Sequence, residues 1–350
     1  MFVAVIWTLG VMSVSVGLGK LGWDVRFAYL PAAEAVLHGR SPYPALDDPI
    51  LLDQKGYVYP PQLLFLVLPL TVLPVALAGI GVAVGLGALV VATLRLLGVS
   101  DVRCYAAAFL WMPTMSGILL SNVSIPLAFA AAVIWRYRDS VWPPAVALGL
   151  TVSAKLLFWP LLVWTAVTGR LRATAWAVAI GVGVTLAAWA AIGFDGLGGY
   201  PDLLRRLSEI QSENSYSFVG IVHTLGLPEW VGQALMLASG GALVVLCALF
   251  ARRGDDFRSF TAALGATLAL SPIVWLHYLV VLLVPMAIAR PRFTPLWLLP
   301  ILLWTSPKPG YAEGVQTFPP AIVVTILLVV LLTRPRPSEA PVEAAEPVSA

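Results

Sequence analysis

An all-α, polytopic membrane protein is the fold class that this chain predicts, and three observations predict it. Apolar residues make up 59% of the 350, and the mean hydropathy is +0.89, far above that of a soluble domain. Only 11% of the residues are charged, and the first nineteen carry no charge at all. The apolar residues also come in runs divided by short charged or Pro/Gly-rich links. At about 20 residues per straight crossing, they lay out as about twelve transmembrane helices.

The expected spans cover residues 1–19, 75–94, 105–120, 123–135, 143–154, 156–168, 171–192, 229–251, 258–273, 275–289, 294–306 and 319–333. Residues 1–19 lack a basic N-terminal region, and no small-residue cleavage site follows them, so they read as an uncleaved first span. Gln62–Pro74 (QLLFLVLPLTVLP) is apolar but carries two prolines and is too short to cross; it is expected to be a re-entrant or surface-lying helix. The 123–135 helix and the 143–168 hairpin, which turns at Ala154-Lys155, are also short. Broken helices persist at membrane depth only where protein buries them or they line a water-filled cavity, and a cavity opening outward is the expectation. Residues 1–333 read as a single membrane domain, and the Pro/Glu/Ala-rich 334–350 as a disordered tail. No internal repeat is visible.

Topology follows from the basic residues. With the N-terminus inside, Arg95, Arg103, Arg136, Arg138, Arg170, Arg172, Arg252, Arg253, Arg258, Arg290, Arg292, Arg334 and Arg336 all fall in inner links. Most acids fall outside, chiefly in two long loops, 20–60 and 193–228. Both termini are therefore expected in the cytoplasm. The net charge of +3 is too small to imply a nucleic-acid partner. Cys104 and Cys247, the two cysteines, lie far apart at inner helix ends and suggest packing rather than a disulfide or a metal site.

The chemistry is expected at the outer ends of the helices, where Asp24, Asn122, Lys155, Asn214 and His277 converge on this topology. Ionisable residues at membrane spans are costly and mark function. The stretch from Trp23 to Pro61 gathers five acids and Tyr29, Tyr43, Tyr57 and Tyr59. Asp24 either caps a helix over 25–37 that Gly39 ends or serves as a general base toward a hydroxyl nucleophile. Pro31, inside that helix, argues against simple capping, and Glu34 is the nearest alternative acid. Lys155 is the lone charge in VALGLTVSAKLLFWPLLVW. It either snorkels to the interface or meets a lipid phosphate at a helix break. His277 is either a hydrogen-bonded core residue or part of a site in which Trp275 and Tyr278 line a sugar face. Asn122 reads as a helix cap or a sugar contact, and Asn214 and Tyr216 as loop residues or sugar contacts.

The stretch ending HGRSPY, the YVYPPQLLFLVLPLTVLP segment, the SNVSIPL turn, SAKLLFWPLL, ENSYSFVG and SPIVWLHYLVVLLVP occur in that order. As an ordered set they resemble glycosyltransferase family 87, also known as domain of unknown function 2029, which includes polyprenyl-phosphate-mannose-dependent alpha-mannosyltransferases. The resemblance implies a GT-C-like bundle and a lipid-linked sugar donor. It also implies inverting, metal-independent transfer on the outer face, without a cofactor. It maps the base onto Asp24 and a donor-phosphate contact onto His277. Leu120-Ser121 stand where the family often has Gly-Gln, and Tyr278 where it often has a second histidine.

Together these readings give an expected function: transfer of a hexose, with mannose first in view, from polyprenyl phosphate to a lipid or glycan acceptor at the outer face of the cytoplasmic membrane. Asp24 is the expected base. Lys155, His277 and Arg26 are expected at the donor phosphate, and Glu34, Tyr59, Asn122, Asn214, Tyr216, Trp275 and Tyr278 at the sugar or acceptor. The expected partners are these substrates and membrane lipids. A secondary transporter or lipid flippase is the alternative, and would place its ionisable residues nearer the bilayer midplane.

Overall fold

The structure, a computed structural model, describes residues 2–17, 21–306 and 314–333, and among them there is no strand. The expected tail over 334–350 lies outside the described residues. In chain order the α-helices are α1 (Phe2–Gly17), α2 (Leu30–Leu37), α3 (Gln62–Val67), α4 (Val75–Leu96), α5 (Val102–Leu110), α6 (Met112–Leu120), α7 (Ser124–Arg136) and α8 (Trp142–Ala154). They continue as α9 (Pro160–Val167), α10 (Leu171–Ala191), α11 (Tyr200–Gln211), α12 (Phe218–Thr224), α13 (Glu229–Arg252), α14 (Asp256–Ala269), α15 (Leu283–Ala289) and α16 (Phe318–Thr333).

Among the described residues, four helices are long and apolar enough to cross a membrane: α4, α10, α13 and the segment Val315–Thr333. The bent pair α6/α7 makes a fifth if counted as one span. The chain is thus an integral membrane protein in which most of the dozen expected crossings are shorter pieces. Residues 105–120, expected as one helix, divide at Trp111, which is extended. Pro113 is the cause: it has no N–H to bond to Phe109 and its ring crowds that carbonyl, so it is accommodated in the first turn of a new helix, α6. The expected 294–306 span is a 3₁₀ helix, Pro295–Thr305, with Pro300 inside. Gln62–Pro74 is α3 followed by a 3₁₀ turn at Leu68–Val72, so it does not cross as one helix. The segment 193–228, expected as a long outer loop, holds two helices, α11 and α12.

Close approach of backbones fixes the helices that carry the site. A Cβ at Gly149 of α8 would stand 2.7 Å from the carbonyl oxygen of Ala177 and 3.0 Å from Cβ of Ile180, both on α10. Small residues at a membrane helix contact allow this proximity. At one end of the bundle, three of the expected inner links are tied together. Asp256 accepts from Arg138 Nε at 3.0 Å and from both terminal nitrogens of Arg170 at 2.8 and 2.6 Å, and Arg170 also reaches Asp139 at 2.9 Å. The links 136–141, 168–170 and 253–256 therefore share one end. From it, α7 and α8 run to Asn122 and Lys155 at the other.

Candidate active site

The site begins with a pinned turn. Gly22 has φ +74, donates its N–H to the carbonyl of Leu119 at 2.8 Å, and sits so near α4 that a Cβ would be 3.0 Å from Cα of Gly79. Only glycine fits such a left-handed residue at a backbone contact without strain. This holds the start of the next helix against the α6/α7 break. Val25–Tyr29 form a π-helical turn, with Leu30 N–H bonded to Val25 O, that runs into α2. The widened turn accommodates Pro31, which would otherwise clash with the Phe27 carbonyl. Asp24 has helical φ and ψ and makes no side-chain cap bond, so its carboxylate is available to other partners. Gly39, at φ +66, ends the helix as expected.

The second wall is the α6/α7 break, where the chain turns by 120°. Ser121 is left-handed (φ 57), and Asn122 follows it, buried. Asn122 Oδ1 accepts from Ser124 N at 2.9 Å and Ser124 Oγ at 2.7 Å, which caps the start of α7. Asn122 Nδ2 donates to Asp24 Oδ2 at 2.5 Å and to Tyr59 Oη at 3.3 Å. Tyr29 Oη donates to the same Asp24 oxygen at 3.4 Å. Burial pushes the Asp24 carboxyl up to about 6, and the hydrogen bonds from Asn122 and Tyr29 and the charge of Lys155 pull it part of the way back.

Two nitrogen-bearing side chains face this carboxylate's cavity. Lys155 sits extended between α8 and the short 3₁₀ turn Leu156–Phe158, with its Nζ 3.2 Å above the centroid of the Tyr278 ring and 6.0 Å from that of Tyr59. That amine has no hydrogen-bond partner among the described residues. His277 enters from the break after Ser271-Pro272, at the start of the 3₁₀ helix Leu276–Leu282. It is 4% exposed, lies edge-on to Tyr278 with ring centroids 5.0 Å apart, and neither ring nitrogen is hydrogen-bonded among the described residues. Buried polar groups without partners are rare and call for a reason.

These elements surround one cavity of about 1230 Å³. Asp24, Tyr59, Asn122, Lys155, Trp275, His277 and Tyr278 face it. Leu156, Leu162 and the α10 stripe Ala177, Val178, Gly181, Val182 and Leu186 form an apolar flank. Asp53, Gln54, Ser208 and Gln211 supply a polar rim. α11 covers that rim: Gln54 donates to Gln211 at 3.1 Å, Gln211 donates to the carbonyl of Leu51 at 2.9 Å, and Tyr200 Oη donates to that of Val58 at 3.0 Å. Gln62 of α3 bonds the carbonyl of Ser153 beside the Lys155 turn.

Four expected residues are not brought to the cavity. Arg26 is exposed with its guanidinium 5.1 Å over Phe27, and Glu34 lies on the exposed side of α2. Asn214 is exposed, and Tyr216 is buried among Met112, Leu268 and Val274, its N–H bonded to the carbonyl of Val274 at 2.8 Å. Sequence reading in turn missed Tyr29, Ser124, Gln54 and Gln211. A signal for Tyr29 was present in Pro31, because a widened turn places residues five apart on one side.

A carboxylate, an amine and an imidazole thus line one apolar-flanked cavity in the helical bundle. The model for glycosyltransferase family 87 matches residues 57–274, more than half of the chain, and the chain belongs to that family. It is a membrane glycosyltransferase, as the ordered strings implied. Tyr59, Asn122 and Lys155 lie inside the matched region, and Asp24 and His277 outside it. No curated protein and no solved structure matches the chain significantly.

Proposed function

We propose that this glycosyltransferase moves a hexose, mannose in the first instance, from a polyprenyl-phosphate donor to a lipid or glycan hydroxyl, with inversion. The convergence on one apolar-flanked cavity of Asp24 with Lys155 and His277, whose side-chain nitrogens have no hydrogen-bond partner among the described residues, carries this reading. Asp24 takes the acceptor hydroxyl proton as that oxygen bonds to the anomeric carbon. The bond from this carbon to the phosphate oxygen breaks, and its electron pair leaves with the polyprenyl phosphate. Lys155 and His277 stabilise the charge that develops on the departing oxygen. Tyr59, Trp275 and Tyr278 offer ring faces and hydroxyls to the sugar. The α10 flank holds the prenyl chain, each buried methylene contributing about 0.8 kcal/mol.

An outward-facing site in the cytoplasmic membrane, with both termini in the cytoplasm, is supported by the arginine-rich links at the opposite end of α7 and α8. The test is sugar transfer by purified protein in detergent, from radiolabelled polyprenyl-phosphate mannose to a crude extract of native lipids, for wild type and Asp24→Asn. Transfer lost in the variant while donor binding persists is the expected result. Equal transfer by both removes Asp24 from the chemistry.

A further inference from the structure

Both hydrogen bonds that reach the Asp24 carboxylate land on one oxygen. Asn122 Nδ2 and Tyr29 Oη each donate to Oδ2, at 2.5 and 3.4 Å, while Oδ1 accepts none from the described residues. Asn122 has no capacity left over. A primary amide offers two donor hydrogens and two acceptor lone pairs. Here the hydrogens go to Asp24 and Tyr59, and the lone pairs take Ser124 N and Ser124 Oγ. Turning the amide over would set its oxygen against the carboxylate and its NH₂ against the Ser124 N–H. Ser124 therefore fixes which end of Asn122 faces Asp24. Tyr29 is equally confined: it is 4% exposed, and its ring is edge-on to Tyr57 and Tyr59 at 6.4 and 5.6 Å.

A sugar contact at Asn122 would have to displace one of these four bonds. We infer that Asn122, Tyr29 and Ser124 are positioning residues that hold Asp24 by Oδ2 and so reserve Oδ1 as the atom that takes the acceptor proton. This rests on Asp24 being the base, and it assigns Asn122 to the carboxylate rather than to the substrate. The ionisable groups coupled to Asp24 in this cavity are Lys155, Tyr29, Tyr59 and Tyr278. None is altered in Asn122→Ala or Ser124→Ala, and in Tyr29→Phe only the donated hydrogen bond and its hydroxyl are lost.

The experiment is an infrared pH titration of the carboxyl groups of the full-length protein in detergent, without substrate, with Asp24→Asn identifying the Asp24 band. Donors to the ionised form favour it, so removing either one moves the Asp24 midpoint up by about half to one pH unit in Tyr29→Phe and Asn122→Ala. Ser124→Ala moves it in the same direction by less. With radiolabelled polyprenyl-phosphate mannose, kcat falls about tenfold in Asn122→Ala while the donor KM holds, and the acid limb of the rate profile follows the infrared midpoint. Midpoints unchanged in folded Tyr29→Phe and Asn122→Ala overturn the assignment, as does a raised KM with kcat intact. If loss of the α7 cap prevents Asn122→Ala from folding, Tyr29→Phe, which leaves the cap whole, decides alone. If wild type transfers no mannose, the donor reading fails while the infrared titration still decides the positioning.

Discussion

Asn122 and Asp24, 98 residues apart in sequence, meet at 2.5 Å between Nδ2 and Oδ2. The contact joins the helical turn Val25–Tyr29 to the break between α6 and α7, and it touches an acid that lines the cavity together with Lys155. Burial makes Asp24 a stronger base than an exposed aspartate, and the Asn122 bond keeps it from becoming so reluctant to ionise that it stays protonated at neutral pH.

The pH dependence follows with a definite sign. A base with its carboxyl near 6 works when ionised, so kcat/KM should rise about tenfold per pH unit below 6 and level off above it. Stability runs the other way. A carboxyl raised in the folded state stabilises the fold at low pH, and that contribution, at most roughly 3 kcal/mol, is lost as pH rises through 6. Asp24→Asn, neutral at every pH, should melt higher than wild type at pH 8 and close to it at pH 4. Thermal scans at the two values check this, and an equal gap at both would contradict it.

Lys155→Met keeps the length of the side chain and removes the charge. If the amine meets the donor phosphate, transfer should fall about a hundredfold or more, and polyprenyl phosphate without a sugar should compete poorly for the site. Removing a buried cation that has no hydrogen-bond partner among the described residues should also raise the melting temperature. Unchanged competition by polyprenyl phosphate would detach Lys155 from the donor.

Much of this arrangement was legible in the sequence. Lys155 stands alone in an apolar stretch, which marked the hairpin turn, and the structure brings this charge to the cavity. The ends of α10 and α13 fall within a residue of those expected from hydropathy, since a long apolar run with arginines at one end and Pro or Gly at the other leaves little freedom. Charge crowding alone could not say which residues around Asp24 share its side. Two positions on along the helix, Arg26 points away, and Glu34 also falls on the exposed side. α11 was missed because a search for crossings reads a charged segment as loop, although Leu203, Leu204 and Leu207 carry the spacing of an amphipathic helix. The Gly22–Gly79 approach and the Tyr29 bond are tertiary facts with no local signature beyond a glycine and a proline.

The α8–α10 contact gives a prediction about the cavity wall. Gly149→Ala sets a methyl 2.7 Å from the Ala177 carbonyl oxygen, which belongs to backbone and cannot rotate aside. α10 must shift, at a cost of about 1 to 3 kcal/mol. Because α10 supplies the apolar flank, the melting temperature should drop together with donor affinity, while Gly183→Ala, with open space around it, leaves both unchanged.

The cover over the polar rim should loosen without disturbing the chemistry beneath it. Gln211 is buried, accepts from Gln54 and donates to Leu51 O, so its side chain ties the end of α11 to the loop that carries Lys55. Gln211→Leu keeps the bulk but leaves the Gln54 amide and the Leu51 carbonyl without this partner. Lys55 lies between that loop's turn and Tyr57, partly exposed and paired with Asp53 at 2.7 Å, in reach of trypsin once the loop opens. Cleavage after Lys55 should therefore quicken several-fold in Gln211→Leu, with the acceptor KM raised and the pH profile set by Asp24 unmoved. Digestion at the wild-type rate would mean that the Tyr200 bond to Val58 and the packing of Tyr43 on Trp189, ring centroids 5.5 Å apart, suffice to hold the loop closed.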